Sequence, residues 1–198
     1  NVQRGGPSTG LPTKTEQSDL MQALFGRHGE SPLVVIAASS PSNCFNFSYE
    51  AARLAVEHMT PVILLTDGFL ANGSEPWKIP DVENMPDIKA PIVKEGTVDY
   101  QPYRRLNEEM LRGWAIPGTK GLEHRLGGLE KMAVTGTVSY VPENHQVMTY
   151  EREKKINHVV HSIPDIEVHG DKDADLLMIG WGGTYGHLYT AFRELKKE

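Results

Sequence analysis

This sequence has almost no cysteine, no long apolar run and no excess of positive charge. Its 198 residues include one cysteine, Cys44, so the chain can form no internal disulfide and cannot by itself hold an iron-sulfur cluster, which needs several thiolates. No segment has the apolar length of a membrane span, and the start shows neither an initiator methionine nor a signal-peptide pattern. We therefore expect an internal piece of a longer, soluble protein with no membrane partner.

Two further absences narrow the possible functions. The net charge is -6 and the lysines and arginines are scattered, so no basic stripe exists for a nucleic-acid backbone. Neither a Gly-x-Ser-x-Gly elbow nor a lysine-bearing phosphate loop occurs, which removes the main support for hydrolase and nucleotidase functions. We expect no nucleic-acid partner.

What the sequence does contain is an alternation of apolar runs and amphipathic stretches. Leu33 to Ala38 and Val62 to Leu65 are continuous apolar runs, typical of strands buried on both faces. Asn43 to His58 carries apolar side chains at helical spacing, and Pro61 follows as a stop. Strand, helix and strand in this order predict a βαβ unit with a parallel sheet. Ligands in such sheets bind beyond the carboxyl ends of the strands.

The remaining elements are predicted from shorter patterns. Residues 73–129 have little periodicity and are predicted to form a long irregular excursion, of the kind used for lids, interfaces or linkers. The other predicted elements are a helix over Ser18–His28, a short strand over Gly136–Val141, a helix over His145–His161, a strand over Asp175–Gly180 and a helix over Tyr185–Lys197.

Two candidate sites near the end of the chain have simpler explanations. The glycine-rich turn Gly180–Gly186 suggests dinucleotide binding, but its glycine spacing departs from the usual fingerprint, and the position of the expected acidic residue, about 20 residues later, would fall beyond residue 198. Tight packing of a strand against a helix is the alternative. His158 and His161 share a helix face, yet no tight ligand spacing accompanies them, so we predict no metal site.

The opening segment is the strongest candidate for a binding site. Arg4 enters a loop of glycine, proline and hydroxyl residues that runs to Thr13. Glycines let a backbone approach a ligand, prolines stiffen the loop, and a guanidinium matches a carboxylate or phosphate. The loop is either a site for a small anion or a plain surface turn with an exposed Arg4.

A resemblance favours the anion site. In sequence order, the chain resembles the alpha subunits of 2-oxoacid:ferredoxin oxidoreductases, above all the 2-oxoglutarate type. The motifs that carry the resemblance are Arg4–Thr13 with Glu16–Leu20, Gly26–Glu30, Ser39–Pro41 with Cys44 and Phe45, Met59–Gly68 with Leu70–Pro80, and Pro142–His145.

The resemblance implies a fold and a division of the chain. It implies an α/β fold with a parallel sheet: the end of a pyrimidine-type thiamine-diphosphate-binding domain over residues 1–80, then an excursion and connecting helix over 81–169. Residues 170–198 would begin a second α/β domain like the transketolase C-terminal domain. The implied setting is cytoplasmic.

The implied reaction is oxidative decarboxylation of a 2-oxoacid, with 2-oxoglutarate favoured, to an acyl-CoA and carbon dioxide. Thiamine diphosphate would react with the ketone, and electrons would pass through an iron-sulfur cluster to ferredoxin. The resemblance places thiamine diphosphate with Mg²⁺, and the cluster, mainly on a partner beta subunit. The implied partners are therefore the beta subunit, ferredoxin, the 2-oxoacid and coenzyme A.

The resemblance also suggests site residues. Arg4 is the candidate for binding the substrate carboxylate, with Ser8 and Thr9 beside it. His28, Asp67 and Asn72 are candidates for a cleft or interface, and no residue is assigned a catalytic or metal-binding role. One departure is that Gly121–His124 continues into Arg125 where many relatives have acidic residues.

Two alternatives stay open from the sequence. The chain could be a non-catalytic assembly module that braces a thiamine-binding beta subunit, a role that would suit the long excursion. It could also be an NAD(P)-dependent oxidoreductase that uses the Gly180–Gly186 turn.

Overall fold

Three parallel strands form the centre of the molecule. A computed structural model describes residues 1–8 and 10–197. The sheet contains β1 (Val2–Gln3), β2 (Val34–Ala37) and β3 (Val62–Asp67) in the order β1-β3-β2, with β3 in the middle. Val34 pairs with Val62, and Val2 pairs with Thr66. The predicted parallel α/β arrangement is confirmed, and β1 is an additional strand that the sequence did not indicate.

Within the described residues, five α-helices connect or flank these strands. They are α1 (Leu20–Phe25), α2 (Asn43–Glu57), α3 (Gly68–Asn72), α4 (Pro142–His158) and α5 (Tyr185–Leu195). Short 3-10 turns cover Val82–Asn84, Val159–Ser162 and Gly182–Thr184. The predicted bounds of α2 are correct to one residue, whereas α1 and α5 are shorter than predicted. Helix α4 starts earlier, because a proline is favourable in the first helical turn.

The core lies where α2 and the end of α4 meet the sheet. Leu54 of α2 is fully buried together with Val34 and Val159, and Ile36 and Val62 pack against them. Burial of such aliphatic side chains contributes about 1.5–3 kcal/mol each. This packing explains why the amphipathic pattern of α2 predicted the helix well.

Arg53 adds a polar link between α2 and the end of α4. Its guanidinium pairs with Glu50 and Glu57 on its own helix and donates to the carbonyl oxygen of Ser162 at 2.8 Å. Both carboxylates raise the pKa of Arg53, the hydrogen bond that it donates to Glu50 most of all, so it stays charged.

The end of α1 is determined by an arginine. The Arg27 guanidinium donates to the carbonyl oxygens of Ala23 and Leu24, and also to Ser31. These carbonyls have no partner within the helix, so the side chain closes α1. The helix therefore stops well before the predicted end at His28.

The excursion between α3 and α4 is irregular, as predicted. Single bridges such as Ile92 with Trp114 and Lys131 with Val138 replace regular strands, so the predicted strand over Gly136–Val141 is reduced to one bridge. Asn144 on α4 attaches this segment, because its amide accepts from Ala133 N at 2.9 Å and donates to Lys131 O at 2.9 Å.

The predicted strand over Asp175–Gly180 is wrong. Leu176, Leu177 and Ile179 are largely exposed, and the segment has no strand partner among the residues described. In the same described ranges, no helix is both long and apolar enough to cross a membrane.

Candidate functional site

The loop that carries Arg4 folds back on itself. The Gly5 amide donates to Lys14 O at 2.8 Å, and the Leu11 amide donates to Gly5 O at 3.1 Å. A side chain at Gly5 would place its Cβ only 3.0 Å from the Cβ of Leu11, so the two strands of the loop approach closely at this glycine. The loop is therefore a defined structure rather than an open turn.

A polar cleft of about 330 Å³ opens beside this loop. It is lined by Asn1, Val2, Arg4, Gly6, Pro7, Ser8, Glu16, Ser18 and Asp19. Glu16 accepts from the Gly6 amide at 2.9 Å, and Asp19 accepts from the Asn1 side chain at 2.8 Å. Both acidic side chains thus have partners of their own.

Arg4 is exposed in this cleft. Leaving aside the undescribed residues 9 and 198, its guanidinium makes no hydrogen bond or ion pair with the chain. Ser8 lines the same cleft with a positive φ of 57°, whereas Thr9 lies outside the described residues. A planar cation without an internal partner can bind a carboxylate or phosphate in two-point fashion.

Asp67 lies at the carboxyl end of β3 but does not face solvent. It is 1% exposed, and its Oδ1 accepts from the amides of Phe69 at 2.9 Å and Leu70 at 3.0 Å, which caps α3. Its Oδ2 accepts from Gly183 N at 3.0 Å and from Gln17 Nε2 at 3.1 Å. The carboxylate therefore connects three segments that are distant in sequence.

The glycine-rich turn packs directly on this carboxylate. A Cβ at Gly183 would lie 2.5 Å from Asp67 Oδ2, and one at Gly182, whose φ is +62°, would lie 2.7 Å from Gln17 Nε2. Gln17 also donates to Trp181 O at 3.1 Å. Close packing accounts for these glycines without a nucleotide.

His28 and Asn72 occupy other places. His28 is exposed, just beyond the Arg27 cap of α1. Asn72 is exposed at the end of α3, where its amide donates to Gly68 O at 2.7 Å. Neither lines the Arg4 cleft.

The loop after β2 is held by its own side chains. Asn43 Oδ1 accepts from the amides of Ser39 at 3.1 Å and Ser40 at 3.2 Å.

Burial, assisted by the charges of Asp67 and Glu75, raises the pKa of the Cys44 thiol. The thiol is therefore protonated at neutral pH and is a poor nucleophile.

Two half-buried cations, Lys155 and Arg105, lie away from the cleft. Lys155 on α4 donates to Met59 O at 2.7 Å, and burial, together with Arg105 and Arg112, lowers its pKa to about 8. Arg105 in turn pairs with Glu151 at 3.0 Å. These contacts join the excursion and α4 to the turn before β3.

No metal-binding cluster is formed by the histidines and acidic residues in 1–8 and 10–197. The rings of His158 and His161 lie 5.0 Å apart, without the acidic neighbours that would complete a ligand set. The sequence did not indicate that Gln17 and Gly183 bind Asp67, because both are far from Asp67 along the chain.

Together, the parallel sheet and the polar cleft at its carboxyl edge define an α/β domain of the class that binds ligands beyond the carboxyl ends of its strands. The chain belongs to the family of pyruvate flavodoxin/ferredoxin oxidoreductases: residues 1–141 match the family model described as "Pyruvate flavodoxin/ferredoxin oxidoreductase, thiamine diP-bdg", a thiamine diphosphate-binding domain.

Individual relatives agree with this assignment. The chain is 54% identical over 198 residues to "2-oxoglutarate oxidoreductase subunit KorA" of Mycobacterium tuberculosis, covering 100% of this chain and 30% of that protein. It is 32% identical over 202 residues to "2-oxoglutarate synthase subunit KorA" of Methanothermobacter marburgensis, covering 100% of this chain and 52% of the relative. The resemblance to 2-oxoglutarate-type alpha subunits is confirmed.

A solved structure supports the fold. The 2-oxoglutarate:ferredoxin oxidoreductase from Magnetococcus marinus, solved with 2-oxoglutarate, coenzyme A and succinyl-CoA bound, matches with a TM-score of 0.88 and 37% identity. The match covers 99% of this chain and 34% of that chain. The chain thus spans about a third to a half of the length of these relatives.

Proposed function

We propose that this chain is the part of a 2-oxoglutarate:ferredoxin oxidoreductase alpha subunit that binds the substrate carboxylate. The complete enzyme would oxidatively decarboxylate 2-oxoglutarate to succinyl-CoA and carbon dioxide and would pass the electrons to ferredoxin in the cytoplasm. The identity of 54% to a 2-oxoglutarate oxidoreductase subunit over the whole chain supports this substrate.

The observation that supports the proposal most directly is that the Arg4 side chain is exposed in the cleft and available to a ligand. Its guanidinium is exposed in a polar cleft of about 330 Å³, while the neighbouring acids Glu16 and Asp19 are bonded to Gly6 and Asn1. A 2-oxoacid is an anion with a planar carboxylate, and a guanidinium binds this group with two parallel hydrogen bonds. Ser8, which lines the same cleft, and Thr9 are the further residues that would bind the substrate.

Most of the cofactor-binding residues would belong to a partner subunit rather than to this chain. The residues described form no cluster for Mg²⁺, and the single Cys44 cannot hold an iron-sulfur cluster. We therefore assign the diphosphate, its Mg²⁺ and the cluster to a beta subunit, and to this chain one wall of the thiamine site. When bound, thiamine diphosphate supplies the electron sink for loss of carbon dioxide.

This chain's own residues would act by binding and orientation. Arg4 would bind the carboxylate, and the backbone hydrogen bonds between Gly5 and Lys14 would keep the loop from which its side chain extends in place. The exposed residues His28 and Asn72 remain candidates for contact with a partner subunit. The division at residues 80 and 169 also remains a proposal.

The test is dye-linked turnover by the complete complex with 2-oxoglutarate and coenzyme A. Loss of a charged hydrogen-bond partner corresponds to about 1.5–3 kcal/mol, so Arg4→Ala is expected to lower kcat/KM by about 10- to 100-fold. Arg4→Lys is expected to recover only part of this loss, because an ammonium lacks the planar fork. Arg193→Ala, an exposed arginine on α5, is the matched control.

Unchanged turnover in Arg4→Ala, with normal assembly, would contradict the proposal. It would favour the assembly-module alternative, in which the chain only braces a beta subunit. Under that alternative, Trp77→Ala would separate the subunits: Trp77 is half exposed and packs on Phe45 at a ring distance of 5.6 Å.

A further inference from the structure

The two oxygens of the Asp67 carboxylate accept hydrogen bonds from different parts of the chain. Oδ1 accepts the amides of Phe69 and Leu70 and so caps α3. Oδ2 accepts Gln17 Nε2 and Gly183 N, which belong to the segment after the opening loop and to the glycine-rich turn. A helix cap requires only one of these oxygens, so capping leaves the second pair of contacts unexplained.

Gln17 lies at the base of the loop that carries Arg4. Its neighbour Glu16 accepts from Gly6 N at 2.9 Å, and Lys14 O accepts from Gly5 N at 2.8 Å. The same loop rests on α3, because a Cβ at Gly68 would lie only 3.1 Å from Lys14 O. Gln17 is thus bonded to Asp67, and two residues just before it in sequence, Lys14 and Glu16, accept from the amides of the two residues that follow Arg4.

We propose that Asp67 is a positioning residue for the 2-oxoacid site: by accepting a hydrogen bond from Gln17 at Oδ2, it holds in place the loop that carries Arg4. This inference rests on the proposed function. Asp67 contacts no substrate, because it is buried and its oxygens are engaged by four donors of the chain itself. It acts through the loop.

The turn at Trp181–Gly183 completes the clasp, by which we mean Asp67, Gln17, Trp181 and Gly183. Gln17 Nε2 donates both to Asp67 Oδ2 and to Trp181 O, each at 3.1 Å. The amide is therefore held from two sides and cannot rotate without losing one contact. Both the sheet edge and the turn determine where the Arg4 loop starts and ends.

Gln17→Met is the sharpest probe. It removes the amide while keeping the length of the side chain, and it leaves the α3 cap and the Gly183 contact intact. Gln22→Met, the same change on the exposed face of α1, is the matched control. In the complete complex, Gln17→Met is expected to raise KM for 2-oxoglutarate about tenfold, with KM for coenzyme A unchanged.

A double-mutant cycle separates positioning from a general structural role. In an Arg4→Ala background, Gln17→Met is expected to have no further effect on kcat/KM for 2-oxoglutarate, because both changes remove the same interaction. If Gln17→Met lowers kcat/KM by the same factor with and without Arg4, the positioning role is overturned.

Hydrogen exchange provides a readout that does not depend on activity. Gln17→Met is expected to speed exchange of the Gly5 and Leu11 amides, which are protected in the closed loop, without changing the amides of β2 and β3. Unchanged exchange would overturn the clasp. If Arg4→Ala does not alter kcat/KM for 2-oxoglutarate, the proposed substrate role fails, whereas faster exchange in Gln17→Met would still show that the hydrogen bonds of Gln17 to Asp67 and Trp181 hold the loop.

Discussion

Gly183→Ala provides a direct test of how tightly the glycine-rich turn packs on the sheet. The new Cβ would lie 2.5 Å from Asp67 Oδ2 and 2.9 Å from Oδ1, where carbon and oxygen cannot both remain. The carboxylate cannot retreat freely, because Oδ1 also caps α3 through Phe69 and Leu70. The turn must therefore move away and the bond from Gly183 N must break.

Two costs determine the size of the effect. Inserting a methyl group into a packed site costs about 1–3 kcal/mol, and loss of a hydrogen bond to a charged group costs about 1.5–3 kcal/mol. Because partial relaxation reduces the clash as the bond is lost, we expect a total of about 2–3 kcal/mol, which corresponds to a fall of roughly 4–12 °C in Tm for a chain of this size.

Gly186→Ala is the control from the same segment. No atom lies within 4 Å of a Cβ at Gly186, which is in α5, so alanine is expected to leave Tm unchanged or to raise it through helix propensity worth up to about 1 kcal/mol. Thermal unfolding followed by circular dichroism compares both variants with the parent. Equal Tm values for the two variants would refute the close packing of Gly183 on Asp67.

Two further predictions concern the core beneath the sheet. Arg53→Met is expected to lower the free energy of unfolding by about 1–3 kcal/mol in urea titrations, since Glu50, Glu57 and the Ser162 carbonyl lose their donor; a loss below about 0.5 kcal/mol would contradict this. His58 is 4% exposed, and burial, with a contribution from Arg53, lowers its pKa. His58 therefore binds a proton more readily in the unfolded chain than in the folded one. Its contribution to the pH dependence of the free energy of unfolding should be constant above the ordinary pKa of about 6.5, and stability should fall as the pH drops below that value. His58→Gln should flatten this dependence between pH 7.5 and 5.5, and an unchanged slope would exclude His58 as its cause.

The parts of the fold that the sequence predicted are those determined locally. Helix α2 and strands β2 and β3 were predicted because their apolar side chains follow the period of the element and lie in or against the core, as Leu54 and Val34 do. Helix α1 was predicted too long, because its end depends on the Arg27 side chain folding back on Ala23 and Leu24.

The candidate site was predictable only in part for the same reason. Arg4 could be identified from the sequence because the residues that line its cleft are all within the first 19 residues of the chain. Asp67 could be noticed at the end of a strand, but its partners Gln17 and Gly183 are 50 and 116 residues away. A carboxylate that caps a short helix and one that links three segments have the same local sequence, so only the tertiary structure distinguishes them.

Two segments show that strand formation depends on the partner as much as on composition. Val2–Gln3 carries almost no strand signal, yet it is β1 because it pairs with Thr66 and Asp67 at the edge of β3, where Thr66 N donates to Asn1 O at 2.8 Å. Asp175–Gly180 is the more apolar segment, yet Leu176 and Ile179 are 70% and 84% exposed, and no described strand is aligned beside it. Backbone groups need partners before apolar side chains can favour a strand, so an apolar run identifies a strand only when the neighbouring strand can be identified as well.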